Sequence, residues 1–129
     1  MELRDFKSSD VSVKMPVWAP GSYLVREFAR NVNQVKAVDG NNQVLKVTKI
    51  SKNEWKIAKG KSKVVKVRYE VYAFELSVRT SFLDLSHGFV SGSSVFCYVD
   101  GFQQLKGTLD VYPYSSFLTK GVVIVENEE

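Results

Sequence analysis

Apolar and polar residues alternate along most of the chain. Val11, Val13 and Met15 alternate with Ser12 and Lys14, the mark of a half-buried strand, and Pro16 stops the run. Residues 32–38 form a second such run, followed by the turn-rich Asp39-Gly40-Asn41-Asn42. A third covers 43–50, and Ser51-Lys52-Asn53 turns it into Glu54-Trp55-Lys56-Ile57-Ala58. Lys59-Gly60-Lys61-Ser62 then leads into the longest predicted strand, residues 63–78, and runs at 94–99, 105–112 and 122–125 follow. Helical signals are confined to a turn or two over 23–30, after Ser22, and another over 81–87. The pattern predicts a single all-β domain over residues 1–129. Its architecture is an antiparallel β-sandwich or a strongly curved sheet of about eight strands, with little helix.

Composition agrees with one folded domain. The chain has 129 residues, 44% of them apolar and 25% charged, which suits one core and argues against disorder. No apolar run approaches the roughly 20 residues that span a bilayer. The start, Met1-Glu2-Leu3-Arg4-Asp5, is charged and lacks a signal peptide's apolar stretch, so a native start at Met1 implies a cytoplasmic protein. A lone cysteine, Cys97, excludes an internal disulfide and reads as a small buried hydrophobe in a strand.

Charge is unevenly placed within the net +4. Lys46, Lys49, Lys52, Lys56, Lys59, Lys61, Lys63, Lys66 and Arg68 face only Glu54 within one stretch, while Glu126, Glu128 and Glu129 close the chain. Such a stripe can attract nucleic acid. The lysines fall at turns and alternate strand positions, though, where they keep surfaces solvated, and arginine, the better fork for phosphate, occurs once. The stripe therefore reads as a solvated face, with a free-standing protein- or polyanion-binding module as the alternative.

Catalytic chemistry is thin. A zinc site needs three or four converging ligands, and His87 and Cys97 stand alone in their classes. No G-x-S-x-G elbow accompanies His87 for a hydrolytic triad. Gly60-Lys61-Ser62 lacks the upstream glycine of a phosphate loop. The chain by itself is thus read as non-catalytic and without cofactor.

Two segments carry more. Ala19-Pro20-Gly21-Ser22 has the proline and glycine of a type II turn, which fixes how Trp18 and Tyr23 leave the backbone beside Arg26. In the long predicted strand, alternation puts Tyr72, Phe74, Leu76 and Val78 on one face and Glu75 and Arg79 on the other. Glu75 and Arg79 lie about 13 Å apart on a strand, so each needs a partner elsewhere, with Arg26 or Arg30 the candidate for Glu75.

The run Pro16-Val17-Trp18-Ala19-Pro20-Gly21-Ser22-Tyr23-Leu24-Val25-Arg26-Glu27-Phe28-Ala29-Arg30-Asn31-Val32 resembles the opening motif of the glycyl-aminopeptidase family of zinc metallopeptidases. Tyr69-Glu70-Val71-Tyr72-Ala73-Phe74-Glu75-Leu76-Ser77-Val78-Arg79 is similar to that family's next block. Phe82-Leu83-Asp84 and Gly88-Phe89-Val90-Ser91-Gly92-Ser93-Ser94-Val95-Phe96 follow in the same order.

The resemblance covers 11–99. It implies the N-terminal, non-catalytic β domain that precedes a thermolysin-like catalytic domain bearing an H-E-x-x-H helix and the zinc, and this chain has no H-E-x-x-H. It further implies that Trp18, Tyr23, Arg26, Tyr72, Glu75 and Arg79 lie at an interdomain or cleft-lining face beside a mobile loop at 89–93. The catalytic domain of the same protein would be the partner, and the substrate a peptide with a small N-terminal residue. The family's usual first strand is missing before Leu3, and 106–129 do not match the path into a catalytic domain. A missing first strand would leave a sheet edge open for self-association.

Overall fold

The computed structural model describes residues 1–17, 27–72, 82–83, 88–89 and 95–109; for 82–83 and 88–89 it describes the backbone. Nine strands and one short 3₁₀ helix occur among them. The strands are β1 (Glu2–Arg4), β2 (Asp10–Lys14), β3 (Val32–Asp39), β4 (Val44–Ser51), β5 (Glu54–Ala58), β6 (Val64–Val71), β7 (Phe82–Leu83), β8 (Gly88–Phe89) and β9 (Tyr98–Val99). Seven of them form one antiparallel sheet in the order β1-β6-β3-β4-β5-β2-β9, and β7 pairs with β8.

The curved-sheet form of the sequence expectation holds. One core joins Leu3 on the first strand of the order to Val99 on the last. Val65, Val67, Ala37, Ile57, Val11 and Val13 fill the space between them. A flat sheet keeps its edges apart, so a core shared from edge to edge requires the sheet to curl. Each of these side chains is the inward member of an alternating pair, and burying one contributes about 1.5–3 kcal/mol for the larger residues.

Sequence chemistry explains the connections. The Asp39 carboxylate accepts from the N–H groups of Asn41 (2.8 Å) and Gln43 (2.9 Å), and Asn42 takes a positive φ of 61°, which closes the β3–β4 hairpin. Within β3 the pairing with β6 jumps from Asn33↔Glu70 to Lys36↔Arg68, so Gln34 and Val35 share the space opposite Tyr69. Gln34 adopts φ 54° there. The extra residue resets the alternation, so Val32, Val35 and Ala37 all turn inward while Asn33 faces solvent.

Several expectations change. Glu2–Arg4, which alternation did not mark as a strand, pairs with β6, and the Met1 amino group donates to the Val67 carbonyl at 2.9 Å. Of the long strand expected over 63–78, Val64–Val71 forms β6 with Tyr72 just beyond it, and 73–78 lie outside the described residues. Within 81–87, where a turn of helix was expected, the described residues Phe82–Leu83 form a strand, and the others lie outside the described residues. Of the strand expected at 94–99, only Tyr98–Val99 pairs with β2, because the Tyr69 hydroxyl occupies backbone groups a strand would use. It donates to the Val95 carbonyl (2.6 Å) and accepts from the Cys97 N–H (3.3 Å).

Residues 105–109, expected to begin another strand, are irregular and exposed, and no described strand pairs with them. Between Tyr23 and Arg30 the described residues show a 3₁₀ helix at Phe28–Asn31. The predicted strand at 122–125 lies outside the described residues.

Candidate functional site

The end of the sheet where β2 stops and β3 begins holds a second core of Met15, Phe28, Ala29 and Trp55. Val32, Val35, Val47, Tyr69 and Cys97 pack against it. Three contacts bring the motif blocks together here. Val32 pairs with Val71 across β3 and β6, and the Tyr72 N–H donates to the Asn31 carbonyl at 2.8 Å. These join the end of the first block to the start of the second. The Tyr69 hydroxyl, bonded to Val95 and Cys97, then ties the third block to the second.

The β4–β5 turn holds both ends of the 16–27 segment. Asn53 clamps Met15 in both directions: its carbonyl accepts from the Met15 N–H (2.9 Å), and its side-chain amide donates to the Met15 carbonyl (2.9 Å). At the far end, Lys52 Nζ lies 3.0 Å from the Glu27 carboxylate. That hydrogen bond to Lys52 holds the Glu27 carboxyl below its ordinary range, with the Lys52 and Arg30 charges adding to it. The ion pair is exposed and contributes little to stability, yet it fixes where the segment re-enters the fold.

Of the residues proposed for an interdomain face, Tyr72 is described, and it is 58% exposed beside the 3₁₀ helix. An exposed tyrosine on a rigid strand end suits contact with another surface. Trp18, Tyr23, Arg26, Glu75 and Arg79 lie outside the described residues, as do His87 and 90–93 of the expected loop; Phe89 is in β8. Arg30 sits in the last turn of the 3₁₀ helix.

Sequence reading missed Asn53, Lys52, Glu27 and Tyr69, which organise this end. The signal for Tyr69 was its inward parity with Val65 and Val67. The turn contacts of Asn53 and Lys52 left no trace in the pattern.

Cys97 is half-buried against both cores, and burial pushes its thiol above the ordinary range more than the Tyr69 hydrogen bond lowers it. Burial likewise raises the Tyr69 hydroxyl. A raised thiol is a poor nucleophile and a poor metal ligand. Among the described residues, no group of three or more His, Cys, Asp or Glu residues is placed to hold a metal ion. These residues therefore do not fit a zinc site. Nor is any helix among them long and apolar enough to cross a membrane.

Several lysines of the basic stripe are engaged with neighbours. Lys56 pairs with Asp10 (3.3 Å), Lys52 with Glu27, and Lys49 lies over the Trp55 ring at 5.6 Å. Lys59 is buried.

An all-β domain in which the described residues of these three blocks meet at one end is of the peptidase-associated class. The chain belongs to the peptidase M61 N-terminal domain family, whose description matches residues 1–122. The match begins at residue 1 and runs well past residue 106, so the resemblance extends further at both ends than the motifs alone indicated. A crystal structure of an aminopeptidase N family protein from Idiomarina loihiensis is similar, at 37% identity and a TM-score of 0.71. The likeness covers 78% of this chain and 16% of that one, so this chain spans a small part of that protein's length. No curated protein matches the chain.

Proposed function

We propose that the chain is the non-catalytic N-terminal domain of a zinc aminopeptidase of the glycyl-aminopeptidase kind, with a thermolysin-like catalytic domain. It packs on that domain through the end of the sheet where the motif blocks meet, and helps wall a cleft for peptides with small N-terminal residues. The family match over 1–122, joined to the convergence of Asn31, Tyr72 and Tyr69 at one end, carries this reading. The zinc and the hydrolytic groups would belong to the catalytic domain. This domain would supply shape and a rigid aromatic edge.

Kinetics of the complete peptidase test the reading. Tyr72→Ala should lower kcat/KM for glycyl and alanyl substrates about tenfold, a loss of about 1.4 kcal/mol in transition-state binding. Removing residues 1–109 should abolish the activity. Unchanged kinetics in both proteins would overturn the proposal.

A further inference from the structure

The opposite end of the sheet carries a different chemistry. There the β1–β2 connection, residues 5–9, faces the β5–β6 connection, residues 59–63. The Lys59 and Gly60 N–H groups both donate to the Ser9 carbonyl, at 3.0 and 2.9 Å. Between them lies an open pocket of about 690 Å³.

Lys59 continues the inward alternation of Trp55 and Ile57 and is only 5% exposed, an unusual place for an ammonium group. Its Nζ donates to two backbone carbonyls, Gly60 at 3.4 Å and Ser62 at 3.2 Å, and makes no ion pair among the described residues. An ammonium has three N–H donors, so one remains without an acceptor among the described residues. A buried charge without a counter-charge is costly, and such groups are normally paired.

Lys7, Lys61 and Lys63 line the same pocket, again with no ion pair among the described residues, and Asp5 is the sole carboxylate among the lining residues. We infer that this pocket binds a doubly charged oxyanion, a phosphate group, with Lys59 as its buried anchor and Lys7, Lys61 and Lys63 around it. The excess of ammonium over carboxylate favours a dianion over a single carboxylate. The summed field of four lysines would also attract anions loosely, so the test must separate a site from a diffuse field.

The experiment titrates the full 129-residue chain, at constant ionic strength, with inorganic phosphate and separately with acetate, while amide NMR shifts are followed. The expected result is saturable movement at Gly60, Ser62 and Lys63 with phosphate, at least about tenfold tighter than with acetate. Lys59→Met keeps the buried stem and should remove binding. Should that variant not fold, Lys61→Gln with Lys63→Gln should weaken phosphate about tenfold, whereas Lys36→Gln with Lys66→Gln, on β3 and β6, should not. Non-saturating shifts, equal affinity for acetate, or equal loss in the Lys36 and Lys66 variant would overturn the inference.

Discussion

The Phe6 and Phe102 rings meet edge to face, with centroids 5.0 Å apart and planes at 86°. Phe6 follows the first strand in the sheet order and Phe102 follows the last. Their contact closes the curl across the open side of the sheet. Phe102 is half-exposed, so its worth lies in the pairing more than in burial. A double-mutant cycle with Phe6→Ala and Phe102→Ala should give a coupling of about 0.5–1.5 kcal/mol in urea unfolding. Strict additivity would mean that the edges close without this pair.

Asn53 is the residue that most directly positions the first motif. Its side-chain amide donates to the Met15 carbonyl, a bond that an aspartate cannot replace at neutral pH. Asn53→Ala and Asn53→Asp should each cost about 1–3 kcal/mol, since both leave the Met15 carbonyl without that donor. Equal stability of Asn53→Asp and the native chain would show that the amide is dispensable.

Tyr69 and Cys97 give a prediction with a direction in pH. Because burial raises the Cys97 thiol in the folded chain, folded molecules keep a proton that unfolded molecules lose. The associated stability is fully present below the ordinary thiol value of 9.0 and is lost as pH rises through the raised folded value. Stability measured between about pH 8 and 10 should therefore decline, and Cys97→Ala should flatten that decline. The raised Tyr69 hydroxyl adds a similar loss at higher pH still. Tyr69→Phe should cost about 1–3 kcal/mol at neutral pH, because the Val95 carbonyl and Cys97 N–H lose their partner.

The bulge in β3 makes Gln34 sensitive to shape. Its φ of 54° is a conformation that β-branched residues rarely adopt. Gln34→Val should destabilise by about 1–2 kcal/mol, whereas Gln34→Gly should be tolerated or stabilising, as read from thermal unfolding.

Strands β2 to β6 were legible because each alternates over much of its length and is bounded by turn residues. The bulge was legible too, in hindsight, since Val32 and Val35 lie three apart where a regular strand needs two. β1 was not, because a three-residue strand with one inward side chain, Leu3, shows no period. At 94–99 alternation was present, but a long-range hydrogen bond to Tyr69 overrode it. Lys59 was hidden in a lysine-rich stretch, although its place two residues after Ile57 gave its inward parity. The motif blocks were readable as words, while their meeting at one end depends on the Val32↔Val71 register, which no single segment encodes.

Hydrogen exchange, read by mass spectrometry on the complete peptidase and on this chain alone, tests the packing face most directly. The account predicts added protection in the complete protein at 28–31, 69–72 and 95–97, with little change at the β3–β4 hairpin or at 59–63. Protection confined to that opposite end, or none at all, would contradict it.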